Sequence, residues 1–114
     1  MVCRLEPTAK IPEWLSGSFI SITRTREELS IVCEQFEIED VLAEKDWRAF
    51  MVAGPLDFSE IGILAKLSDT LAKESISIFV ISTYDTDYLL VKEKKLLQAI
   101  EAFKNDGHEI GGIK

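Results

Sequence analysis

Hydrophobic positions in the second half of the chain fall into blocks with two different periods. Arg48-Ala-Phe-Met-Val-Ala53 is a short apolar run halted by Gly54-Pro55, the pattern of a buried strand followed by a sharp turn. Beyond it Ile61, Leu64, Leu67 and Leu71 recur at intervals of three and four, which predicts an amphipathic helix. Asp57 is placed to cap that helix, with Glu60 three positions further on. Ile76 to Ile81 is nearly continuous apolar sequence rich in β-branched residues, as expected of a central strand covered on both faces. Tyr84-Asp-Thr-Asp87 then turns the chain into a further strand, Tyr88-Leu-Leu-Val91. A second helix is predicted with Leu96, Leu97, Ile100 and Phe103 along one face, preceded by a solvated Glu93-Lys-Lys95 and stopped by Asn105-Asp106-Gly107. His108-Glu-Ile110 reads as a last short strand. The order β-α-β-β-α-β is that of split βαβ, ferredoxin-like sheets, an α+β fold with antiparallel strands and helices on one face.

The first half reads as an abbreviated copy. Ser18-Phe-Ile-Ser-Ile-Thr-Arg24 and Leu29-Ser-Ile-Val-Cys33 form a predicted hairpin through Thr25-Arg-Glu-Glu28. Superposing Phe19 to Thr23 on Phe79 to Thr83 brings Val32 within one residue of Val91, a self-similarity at an offset of about 60 residues that suggests duplication. Val2 to Leu5 is a further strand candidate. Ile11-Pro-Glu-Trp-Leu15 suits a short helix with its proline in the first turn, and Phe36 to Lys45 suits one helical turn. Residues 1–46 and 47–114 are therefore expected as two units. Neither holds enough apolar residues for an independent core, so they are expected to pack as one globule.

Composition narrows the function classes. With 13 Lys and Arg against 20 Asp and Glu, the chain carries a formal charge of −7, which repels nucleic-acid phosphates and anionic membranes. No apolar run approaches the roughly 20 residues of a spanning helix, and the opening Met-Val-Cys-Arg-Leu-Glu lacks a signal-peptide pattern, so the cytoplasm is the expected location. Cys3 and Cys33 sit in apolar strand contexts without metal-ligand spacing and are expected to be buried free thiols. Trp14 and Trp47 are expected in the core.

Catalytic constellations are missing. The single histidine, His108, falls in the predicted terminal strand, and no nucleophile–base set or phosphate loop accompanies it. Asp85 and Asp87 alternate across a turn, far short of the six oxygen ligands a hard cation takes. No enzyme activity, metal or cofactor is expected. The residues do sketch a pocket. The N-terminus of the helix beginning near Asp57 offers free N–H groups to a carboxylate, Glu60 lies in the same turn, and Asp85 and Asp87 offer negative charge to an ammonium or guanidinium group.

The stretch Gly54-Pro-Leu-Asp-Phe-Ser-Glu-Ile-Gly-Ile63, followed by Ile76-Ser-Ile-Phe-Val-Ile-Ser-Thr-Tyr-Asp-Thr-Asp-Tyr-Leu-Leu-Val91, resembles the ACT-domain branch that includes the CASTOR arginine sensors. The first hairpin, Phe19 to Val32, looks like the other ACT unit of that branch. The likeness runs over essentially the whole chain and is strongest to small prokaryotic proteins with two such units. It implies tandem βαββαβ units that bind an amino-acid effector at an interface between modules. Carried over residue by residue, it implies ligand contacts from Asp57, Glu60, Ile61 and Ile63 at the helix entrance, and from Thr83, Tyr84 and Asp87 at the turn. Ser77 and Ile78 match contacts from the opposing module, and Asp87 matches the acid facing the ligand's guanidinium. Asp57 departs from the pattern, standing where the sensors' ligand-binding module has glycine. Because only one module of this type is present, both walls of the site imply a homodimer, with an unidentified regulated protein as further partner. The alternative is an ACT-fold scaffold or interaction subunit that binds no ligand.

Overall fold

The computed structural model describes residues 1–52 and 62–111. Their contacts divide the chain into two compact units, Met1–Asp46 and Trp47–Lys114. Both contain an antiparallel sheet, and the helices belong to the second, so the chain is α+β.

In the first unit β1 (Val2–Leu5), β2 (Ile20–Arg24), β3 (Leu29–Cys33) and β4 (Leu42–Glu44) form a sheet in the order β2-β3-β1-β4. Alternation puts Cys3, Leu29, Ile31 and Cys33 on one face, in register as Cys3 with Ile31 and Leu5 with Leu29. Trp14, Leu15, Ile38 and Val41 pack against that face. Both thiols are free and buried, and burial, the first cause in each case, raises their pKa above the ordinary value. The predicted hairpin is present. Thr25 N–H donates to the Glu28 carbonyl at 2.9 Å, and the Thr25 hydroxyl accepts from the N–H groups of Glu27 and Glu28. Two helical expectations are corrected. Residues 11–15 make only a turn, closed by Leu15 N–H on the Pro12 carbonyl. Residues 36–45 contain β4 in place of a helical turn, because Asp40 in the left-handed region (φ 62°) breaks the helical path and delivers residues 42–44 to the open side of β1.

The second unit comprises β5 (Trp47–Met51), α1 (Ile63–Lys73), β6 (Phe79–Ser82), β7 (Asp87–Lys92), a single 3-10 turn (Glu93–Lys95) and α2 (Leu96–Asn105). Its sheet runs β5-β7-β6, all antiparallel. The central strand is thus β7 and not the segment at 76–81. Leu89, Leu90 and Val91 are all buried, whereas every residue of β6 keeps some exposure. Leu89 and Val91 face the core with Leu71, Ala99, Ala102 and Phe103, and Phe50 and Val80 flank Leu89 in register. Ile76 belongs to that core but not to the sheet. Ser75 is left-handed (φ 58°), and Ile76 N–H donates back to the Leu71 carbonyl, so the strand starts only at Phe79.

Three further expectations are corrected here. Leu97 does not share the buried face of α2: it is 80% exposed, and Ala99, Ile100, Ala102 and Phe103 are the buried positions. Helix α1 does not begin near Asp57, since its N-cap is Gly62 (φ 85°) without a side-chain cap. Residues 108–110 form no strand. Gly107 (φ 90°) reverses the chain, His108 N–H donates to the Phe103 carbonyl at 2.9 Å, and Ile110 folds onto the core.

Candidate functional site

The turn at 83–87 is built by two threonines spaced three apart. Thr83 N–H donates to the Thr86 carbonyl at 2.8 Å, and the Thr83 hydroxyl lies 3.1 Å from the same carbonyl while accepting from Thr86 N–H at 3.3 Å. Thr86, 7% exposed, turns its own hydroxyl inward and donates to the Val52 carbonyl. Val52 N–H in turn donates to the Asp87 carbonyl at 3.0 Å. The tip is therefore closed on itself by Thr83 and Thr86, and its Thr86–Asp87 end is tied to the chain leaving β5. It presents Tyr84, 82% exposed, to solvent. Asp87 is half-buried at the first position of β7, opposite Ser82 and on the strand face that Leu89 and Val91 occupy.

Ser77 and Ile78 lie at the other end of β6. Ser77 is exposed, and Ile78 packs partly buried on the core. At about 3.3 Å per residue, the five steps from Ile78 to Thr83 span about 16 Å. A free amino acid bridges no such distance, so the two predicted contact groups do not meet within one copy of the chain. Ile63 opens α1 and is half-buried. Asp57, Glu60 and Ile61 fall outside the described residues.

A cavity of about 400 Å³ lies in the second unit, lined by Phe50, Val52, Ile63, Leu67, Leu89, Phe103 and Ile110 among others. Lys66, His108 and Glu109 are its ionisable lining residues. The His108 ring packs edge-on against Phe103 at 6.0 Å, with Nε2 shut off from solvent and without a hydrogen-bond partner among the described residues. The Thr70 hydroxyl donates to the Asp106 carboxylate at 2.6 Å, joining α1 to the end of α2. That hydrogen bond, the largest cause, holds the Asp106 carboxyl below its ordinary pKa. Among the described residues no three His, Cys, Asp or Glu side chains cluster as metal ligands.

Thr86 and, Ile63 apart, the cavity residues were not expected at a site. A Thr-x-x-Thr pair spanning a turn was the available signal for the first. The second had none, because the cavity depends on where Gly107 sends residues 108–110.

Comparison with known proteins places these elements. The family model described as an ACT domain matches residues 42–105. The chain belongs to the ACT-domain family. Residues 1–40 match a different family model, an N-terminal domain. Curated relatives share identity along most of the chain. The human protein named cytosolic arginine sensor for mTORC1 subunit 1 is 31% identical over 108 residues, covering 87% of this chain and 33% of its own. The mouse protein of the same name is 41% identical over 94 residues, covering 75% of this chain and 28% of its own. The chain thus spans about a third of the length of the curated relatives it matches. Among solved structures, the crystal structure of protein Atu0741 from Agobacterium tumefaciens shares 36% identity and a TM-score of 0.86, covering 99% of this ACT-domain chain and 89% of its own.

Proposed function

We propose that this chain is a non-catalytic regulatory module that binds a free amino acid between two copies of itself and so alters the behaviour of a partner protein. The observation that carries this reading is the placement of Ser77 and Ile78 at one end of β6 and of the turn at 83–87 at the other. Related proteins named as arginine sensors supply the ligand class. Two facing copies bring one set of contacts against the other, and symmetry then gives two equal sites. Asp87 meets the ligand's cation, Tyr84 covers it, and Thr83 and the partner's Ser77 orient it. Asp57, Glu60, Ile61 and Ile63, around the start of α1, are assigned to the carboxylate end. The ligand acts by favouring the dimer geometry that closes on it.

A thermal-shift screen of the full chain against the twenty amino acids tests this. A true effector at about 100 times its Kd adds about 2.7 kcal/mol, or several degrees in Tm. For that effector Asp87→Ala weakens binding by roughly 2 kcal/mol in calorimetric titration, since it leaves a ligand charge unpaired. Absence of any shift at millimolar concentration contradicts the proposal and leaves the ligand-free scaffold.

A further inference from the structure

We propose that Cys3 and Cys33 form a two-thiolate site for a soft monovalent cation, copper(I), inside the first unit. Both lie on the covered face of its sheet, on the adjacent strands β1 and β3, and they are 1% and 4% exposed. Cys3 stands opposite Ile31, so Cys33, two residues on, is its diagonal neighbour. The Cys3 thiol donates a hydrogen bond to the Cys33 sulfur, which puts the two side chains in direct contact. Met1 exchanges backbone hydrogen bonds with Cys33, its nitrogen donating at 2.7 Å and its carbonyl accepting at 3.1 Å. Alternation along β1 gives Met1 the same face as Cys3, and it packs in the same buried cluster, so a third sulfur joins the patch.

Two uses of such a pair differ in reach. A disulfide needs Cα atoms within about 6.8 Å, whereas diagonal neighbours on antiparallel strands stand about 7–8 Å apart. A metal ion at about 2.3 Å from each sulfur joins sulfurs about 4 Å apart, and neither strand has to move. Thiolate and thioether donors select copper(I), and the apolar residues packed with them, Leu29, Ile31 and Val41 among them, offer harder ions no side-chain oxygen or nitrogen. Among the described residues no His, Asp or Glu makes a third ligand with the cysteines, which leaves zinc short of its four-ligand set. Burial keeps both thiols protonated, so the ion binds by displacing protons. Two S–H bonds break, two sulfur–copper bonds form, two protons leave and no electron changes hands. The filled site carries one negative charge, and Lys45 is near enough to Cys3 to offset it.

Anaerobic titration of the full chain with copper(I), buffered by a chromogenic copper(I) chelator, tests this. The expected result is one ion withheld from the chelator per chain, two protons released per ion and a rise in Tm. X-ray absorption of the loaded protein is expected to show sulfur neighbours without nitrogen or oxygen. Cys3→Ala and Cys33→Ala, which keep both positions apolar, each weaken binding by more than the roughly hundredfold that losing a residue behind a metal ligand costs. Zinc(II) at equal concentration is not retained. The proposal is overturned if no copper is withheld, if uptake survives the double alanine variant, if zinc is held equally, or if nitrogen or oxygen neighbours appear. A fall in Tm overturns it too, because the ion then prefers the thiols of the unfolded chain. Absorption and Tm are read on the parent chain, so they decide the question even where an alanine variant fails to fold.

Discussion

Thr70 and Thr86 each bind two elements through one hydroxyl, in different surroundings. Thr86 sits nearly out of solvent and satisfies a carbonyl at the end of β5, holding the loop that displays Tyr84. Thr70 donates at 2.6 Å to a carboxylate, and that bond lowers the Asp106 pKa. A carboxyl held below its unfolded value stabilises the native state above that value, 3.8 here, and the stabilisation is lost as pH falls through the folded one. Thr70→Val is therefore expected to move Asp106 up toward the ordinary carboxylate range and to flatten the acid limb of the stability curve. A carboxyl-carbon NMR titration of both proteins reads this directly; an unmoved Asp106 contradicts the assignment of the shift to Thr70. The buried thiols act at the other end of the scale. Their raised pKa values mean that the stability they contribute is complete below about 9 and is lost as pH rises through the folded values.

Elements differ in how firmly they are anchored. Strand β7 is paired on both sides and contributes Leu89 and Val91 to the core, while Leu97 on α2 faces water. Leu89→Ala is expected to cost about 2–5 kcal/mol by leaving a cavity. Leu97→Ala is expected within about 0.5 kcal/mol of the parent. Urea denaturation separates the two, and comparable losses contradict the placement of α2. The β5-α1-β6-β7-α2 succession was legible in the sequence because its apolar runs are long and end at Gly or Asn-Asp-Gly. Helical spacing marked α2 but not its rotation, since Leu96 and Leu97 are equally apolar and only packing against β7 decides which turns inward. The continuous apolar run at 76–81 resembled a central strand because periodicity does not reveal how many neighbours a strand has. Ser75 carries no sequence mark of its left-handed turn, and so the transfer of Ile76 from sheet to core was invisible. In the first unit, short apolar stretches at 11–15 and 36–45 fitted a helix as well as an extended chain, and sheet pairing decided for the latter at 42–44.

At the scale of the whole molecule, the part of the candidate site that lies among the described residues was legible as a turn. The Ser-Thr-Tyr-Asp-Thr-Asp sequence announced the hairpin tip at 83–87, and the structure supplies its ties to Val52. The separation of Ser77 from Asp87 by the length of β6 appears only once the strand is built, and the proposed second copy rests on it. Among the described residues no helix is long and apolar enough to cross a membrane. Whatever the chain regulates, it is the pairing of copies that the ligand is proposed to report on.

That pairing is tested most directly by mixing two binding-deficient variants. Asp87→Ala removes the acid from one wall of each site, and Ser77→Tyr blocks the other. Each alone is expected to lose the parental high-affinity binding in calorimetric titration, Asp87→Ala by the roughly 2 kcal/mol given above. After subunit exchange, half the dimers are mixed, and each mixed dimer restores one of its two sites, so about a quarter of the parental capacity returns. A mixture as silent as its components, or a single variant that binds as the parent does, contradicts a site shared between two copies.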